Sequence, residues 1–230
     1  MIRSAADGRV RVVTLDRPER RNALTNEGLY DLADAVLDAE EPVLYLEGAG
    51  EAFCAGADLD LVADLDRQAA YEFARRGQRV ADAIAEYDGA TIAGIDGAAR
   101  GGGVELALAC DVRVGTPEAT LAETGVSLGL FGAWGGTARL PELVGVGVAQ
   151  DVLLSGRTIG AREARRMGLV SRVVEDPRDV ARELAAHEPQ TIRTIAGLVR
   201  DRSPLDVAQE REAKAFAELV GASDLANRNP

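Results

Sequence analysis

The chain has 230 residues, 47% hydrophobic and 28% charged, with a formal net charge of −12. Those values suit a soluble globular protein, and the acidic balance argues against a nucleic-acid partner. No uncharged apolar stretch reaches the roughly 18 residues that a membrane span needs, and Met1-Ile2-Arg3-Ser4 opens no signal-like apolar region, so no membrane association and a cytoplasmic location are expected.

In chain order, Val10 to Leu15 predicts a β-strand. Asp16 to Asn22, with Pro18 inside it, predicts a turn. A helix is expected from about Thr25 to Ala39, with Leu29, Leu32, Ala33, Val36 and Leu37 on one face. Val43 to Leu46 predicts a short buried strand closed by Gly48-Ala49-Gly50. Residues 59–88 predict a charged helix interrupted near Gly77. Thr91 to Ile95 is another strand, and a helix opens at Gly103 and runs to Cys110. Val112 to Val114 predicts a strand, followed by a glycine-rich connection over 119–136. Helices are expected over Leu140 to Leu154 and Ile159 to Met167, with Gly168 as the C-cap. Val170 to Val174 predicts a strand, and the remainder beyond Pro177 is helical and polar.

Strand, turn and helix recur near 10–39, 43–76 and 91–109, which argues for α/β layering. A doubly wound sheet and a spiral of repeats both fit that pattern. The charge-rich part from about residue 177 is the one candidate for a second unit.

Cys54 and Cys110 stand in apolar strings without a CxxC pair, so buried thiols are expected and no metal. His187 is the only histidine and lies in a polar string, as a loop or helix-end residue; His-based nucleophilic or metal chemistry is a poor fit. Lysine occurs once, at Lys214, among 26 basic residues, and an acidic, lysine-poor surface suits a salt-rich cytoplasm.

Two stretches carry chemistry. Phe53-Cys54-Ala55-Gly56-Ala57-Asp58 and Gly101-Gly102-Gly103-Val104-Glu105 each place small residues where backbone must come close to something. The glycine triplet lacks the Gly-Lys-Ser/Thr ending of a phosphate loop and the spacing of a dinucleotide fingerprint. It suits either tight helix packing or close approach to a ligand at a helix start, where N–H groups are free. Together the stretches suggest two N–H donors converging on one oxygen beside an acid/base. Asp58 fits a helix cap, and Glu105 read alone fits a glutamate favoured by a helix N-terminus.

Leu15-Asp16-Arg17-Pro18-Glu19, Asn22-Ala23-Leu24, the 52–58 and 95–106 segments, Leu128-Gly129-Leu130, Gly135-Gly136-Thr137-Ala138-Arg139-Leu140 and Gly168-Leu169-Val170 follow one another in an order and spacing that resembles the crotonase superfamily, the enoyl-CoA hydratases and isomerases. The resemblance implies an α/β spiral of ββα repeats over 1–176, with a shortened C-terminal helical region over 177–230. It implies an acyl-CoA thioester as substrate, no cofactor other than the coenzyme A of the substrate, and homotrimers or dimers of trimers. It assigns the oxyanion hole to the N–H groups of Ala57 and Gly102 and the acid/base to Glu105. It places Ala55, Asp58 and Leu59 along the coenzyme path, and Arg20 and Arg21 near phosphates, where solvated charges remain the alternative. The family's second glutamate falls on Gly125, a departure from the pattern. Glu123, two residues earlier, would point to the same side of an extended segment, as a substitute acid or as a solvent or subunit contact. The chain also stops at Ser223 to Pro230, where relatives continue into another helix, which implies a more open pocket or one covered by a neighbouring subunit. Hydration of 2-enoyl-CoA is the leading expectation. Isomerisation or other enolate chemistry with one carboxylate, and acyl-CoA binding without turnover, are the alternatives.

Overall fold

The structure is a computed structural model describing residues 1–222. Ser223 to Pro230, on which the expectation of a shortened terminus rests, lie outside the described residues. The chain runs β1 (Ile2–Asp7), β2 (Val10–Leu15), α1 (Asn26–Leu37), β3 (Val43–Gly48), α2 (Leu59–Ala63), α3 (Arg67–Ala85), β4 (Ala90–Ile95), β5 (Ala98–Arg100) and α4 (Gly102–Ala109). It continues with β6 (Val112–Gly115), β7 (Thr120–Ala122), α5 (Gly136–Val144), α6 (Val146–Ser155), β8 (Ile159–Gly160) and α7 (Ala161–Arg166). β9 (Arg172–Val173), α8 (Pro177–Ala185), α9 (Pro189–Arg200) and α10 (Leu205–Ala222) complete the described chain.

Six strands form one sheet in the order β1-β2-β3-β4-β6-β9, and β5-β7-β8 form a smaller one. All neighbours in the large sheet are parallel except the β1–β2 hairpin. Parallel strands bury both faces, and the period of two assigns the residues. Val13, Leu15, Leu44, Leu46, Ala93 and Ile95 face the main core. Val10, Val12, Val43, Tyr45, Ile92 and Val114 face the opposite way, onto Val180, Ala181 and Ala185 of α8. The α/β spiral expected from the resemblance is the architecture observed.

Several local expectations need correction. β1 has no predicted counterpart, because Arg3 to Asp7 are exposed and show no apolar alternation. α1 starts where expected, with Thr25 Oγ1 accepting from Gly28 N at 3.2 Å, but Leu37 is 70% exposed; it lies about 100° round the helix from buried Val36. The helical stretch after residue 59 breaks at 64–66, where Asp66 caps α3, and not at Gly77, which lies inside a continuous helix with its bare Cα against the Trp134 indole. The expected helix over 140–154 is two helices, split at Gly145 with φ +80°. The 119–136 connection holds β7 and a 3₁₀ turn over Thr124–Leu128. Ile159 and Gly160 pair with β7 before α7 begins, and the strand expected over 170–174 narrows to β9.

Candidate active site

The loop after β3 is built by Asn22. This buried side chain sits at φ +60°, and its Nδ2 donates to the carbonyls of Ala49 (2.9 Å) and Ala52 (2.7 Å). Its Oδ1 accepts from Arg17 N at 3.0 Å. An amide has both donors and acceptors, so one side chain can satisfy backbone groups of two loops. Leu24 N then donates to Gly56 O (2.8 Å) and Asp58 N to Leu24 O (2.9 Å). That pairing skips residue 57, and the Ala57 N–H has no partner among the described residues.

The glycine triplet meets this loop. Gly101 has φ +46°; a Cβ on Gly102 would lie 2.3 Å from the Trp134 ring, and one on Gly103 2.3 Å from the Cys54 carbonyl oxygen. Each position therefore excludes a side chain for its own reason. A Cβ on Gly56 would lie 2.9 Å from Gly102 N, which shows how closely the two loops abut. Gly102 opens α4, and its N–H also has no partner among the described residues.

Glu105, one turn into α4, is fully buried. Its Oε1 accepts from Trp134 N (2.9 Å) and Gly136 N (2.7 Å), and its Oε2 has no partner. The segment carrying those donors is pinned by Gln78, which donates to Ala133 O at 2.9 Å, and by Arg139, which donates to Trp134 O at 3.0 Å. Burial raises the Glu105 pKa, and the two N–H bonds oppose the rise.

Glu123 is buried at 3% exposure, and neither carboxyl oxygen has a partner. Burial, followed by the charge of Glu105, pushes its pKa up to about 9. The two carboxyl groups converge: a Cβ on Gly132 would lie 2.7 Å from Glu105 Oε2 and 2.9 Å from Glu123 Oε2. Only a glycine lets both reach this point. The extended geometry expected through residue 125 stops at Glu123, since the 3₁₀ turn begins at Thr124; Glu123 meets Glu105 at Gly132 from the end of β7 but is not among the residues lining the adjoining cavity. Gly125 lines the cavity but cannot host the family's carboxylate, because a Cβ there would lie 2.8 Å from Phe131 Cα.

Ala57, Gly102, Glu105 and Gly125 line one cavity of about 210 Å³, joined by Ala55 and Leu59. Asp58 does not line it. Asp58 caps α2 and accepts from Arg17 Nη1 (2.6 Å), Arg20 Nη2 (3.3 Å) and Asp60 N (3.0 Å). Burial acts to raise its pKa, but these bonds, led by Arg17, outweigh it and hold the carboxyl below its usual range. Arg20 is bound to Asp58 and Asp60, and exposed Arg21 lies outside the cavity lining. His187 is exposed just past α8. Cys54 and Cys110 are buried free thiols, each pushed up to about 12 chiefly by burial. Sequence reasoning missed Asn22 as the loop organiser and Trp134 as a wall. Asn22 gave a weak signal, as an amide just after a Pro-containing turn.

A family model described as enoyl-CoA hydratase/isomerase matches residues 5–221. The chain belongs to the enoyl-CoA hydratase/isomerase family. Among family relatives it is 32% identical to the short-chain-enoyl-CoA hydratase of Clostridium acetobutylicum, covering 95% of this chain and 88% of that protein. It is 36% identical to the crotonyl-CoA hydratase of Syntrophomonas wolfei, covering 88% of this chain and 76% of that protein. The crystal structure of an enoyl-CoA hydratase from Bacillus anthracis superposes with a TM-score of 0.91 at 30% identity, covering 97% of this chain and 92% of that one.

Proposed function

We propose that this chain hydrates the C2–C3 double bond of 2-enoyl-CoA thioesters, with Glu105 and Glu123 as its two carboxyl groups. The observation that carries the reading is the convergence of both carboxyl groups on Gly132, beside the cavity that holds the unpaired N–H groups of Ala57 and Gly102. Those N–H groups bind the thioester oxygen, which becomes a stronger acceptor as it gains negative charge. Removing one such donor costs roughly 3 kcal/mol of transition-state stabilisation in comparable sites.

Glu105, held by two N–H donors, is the ionised member and takes a proton from water as its oxygen bonds to C3. The π electrons move onto the thioester oxygen as an enolate. Glu123, protonated because burial and Glu105 raise its pKa, gives its proton to C2 as the enolate collapses. Proton transfer from Glu105 to Glu123 restores the starting state, and the net change is addition of one water. The presence of a second carboxyl favours hydration over one-base isomerisation and over binding without turnover.

Catalysis belongs to the 1–176 unit, which supplies every residue lining the cavity among the described residues, and the 177–230 region has a supporting role. No cofactor beyond coenzyme A is required. Arg21, exposed and near the loop, is the better placed of the two arginines for coenzyme phosphates, because Arg20 is occupied by Asp58 and Asp60. A homotrimer or a dimer of trimers is supported by exposed Val146, Leu154 and Leu143 on α5 and α6 and is checked by light scattering. The protein acts in the cytoplasm, in fatty acid metabolism.

The deciding experiment is incubation with crotonyl-CoA. Loss of the conjugated-thioester absorbance is expected; binding of the thioester without that loss would overturn the reading. Formation of the conjugated absorbance from a 3-enoyl-CoA, with crotonyl-CoA left unchanged, would assign isomerisation instead.

A further inference from the structure

We propose that Trp134 closes the acyl cavity and restricts this chain to short 2-enoyl groups, an inference that rests on the hydratase reading above. The cavity has two unlike ends. Leu59, Leu128, Leu130 and Phe131 are exposed and mark its mouth, whereas Trp134 is 2% exposed and Phe73 5%.

The indole at the closed end has no slack. Its five-membered ring lies against Gly77 of α3, where a Cβ would come within 2.1 Å of Cδ1 and Nε1. Its six-membered ring lies against Gly102, where a Cβ would come within 2.3 Å of Cζ3. Phe73 braces it in an edge-on contact, with ring centroids 5.9 Å apart. Two helices have thus already given up their side chains to admit this ring, and neither can retreat further without moving backbone.

The ring also stands at a fixed distance from the chemistry. Gly102 supplies an N–H to the thioester oxygen, and the indole rests directly on its Cα. The Trp134 main-chain N–H holds Glu105 at 2.9 Å. A thioester entering from the mouth places C2 and C3 by the carboxyl groups, so carbons beyond C4 meet the indole and Phe73. The whole cavity is about 210 Å³, and longer chains must displace a ring wedged on both edges. Pockets discriminate by roughly 10–200-fold for a single methylene, so several unplaceable methylenes produce a steep cut-off.

The test compares kcat/KM for crotonyl-CoA and 2-decenoyl-CoA, using the full-length protein and its Trp134→Leu and Phe73→Ala variants. Wild type is expected to favour crotonyl-CoA at least 100-fold, and each folded variant to raise the decenoyl-to-crotonyl ratio at least tenfold. Phe73→Ala leaves the Trp134 peptide and its bond to Glu105 in place, so it carries the test if Trp134→Leu fails to fold. Equal use of both substrates by wild type, or an unchanged ratio in the folded variants, would overturn the role of Trp134 while leaving hydration intact. Hydration of neither substrate would overturn the hydratase reading and this inference together.

Discussion

Glu105 and Glu123 differ most in their hydrogen bonding: one carboxyl accepts two main-chain N–H bonds, and the other accepts none. A carboxylate stripped of water needs such donors to stay charged, so the proton resides on Glu123. Glu105→Gln and Glu123→Gln are each expected to lower kcat by 10²–10⁴, with KM for crotonyl-CoA changed only a few-fold, as read by the loss of substrate absorbance. The pH dependence of kcat/KM should be bell-shaped: the acid limb reports Glu105, raised above its usual value, and the alkaline limb reports Glu123 near 9.

The same residue has an opposite effect on stability. The unfolded chain releases the Glu123 proton near 4.5, while the folded chain keeps it to about 9. Between those values the folded state binds more protons, so this group makes stability fall as pH rises. Glu123→Gln removes that cost, and its urea midpoint at pH 8 should exceed that of wild type although its activity is lost. A midpoint at or below wild type would show that Glu123 is not held neutral by burial. Gly125→Glu, which restores the family's usual residue, should not rescue Glu123→Gln, because its Cβ would meet the Phe131 backbone; it should lower the melting temperature instead.

Among the elements, α3 shows how a local rule yields to packing. Glycine inside a helix costs about 1 kcal/mol relative to alanine, so propensity alone favours Gly77→Ala. A Cβ there would lie 2.1 Å from the rigid indole of Trp134, and overpacking of this kind costs about 1–3 kcal/mol. The clash wins, and Gly77→Ala should be destabilising by urea unfolding. This conflict also explains why the sequence predicts an interruption at Gly77 that the helix does not have. The glycine answers a contact with residue 134, which no local window contains. β1 was hidden for a related reason: its exposed residues carry no periodic signal, and only pairing with β2 makes it a strand.

At the scale of the whole molecule, the order of strands and the family frame were legible because small residues and buried strands recur at characteristic spacing. That Ala57, Gly102 and Glu105 share one cavity was legible for the same reason. The approach of Glu123 to Glu105 was not fixed by the local sequence, since it depends on where β7 ends and on the absence of a side chain at Gly132. The net charge of −12 bears on the entire surface. Self-repulsion between like charges is screened within about 3 Å at molar salt, so the melting temperature should rise in molar KCl; a melt unaffected by KCl would remove the argument for a salt-adapted surface.

Position 125 has a wider consequence. Aligned column by column, the chain would be scored as a dead relative, with the acid missing and glycine in its place. In space, on the proposed reading, a turn lets a side chain two residues upstream supply the acid that the downstream position cannot hold. Surveys of such proteins for loss of activity should therefore ask which oxygens meet at a point, and not which letters share a column.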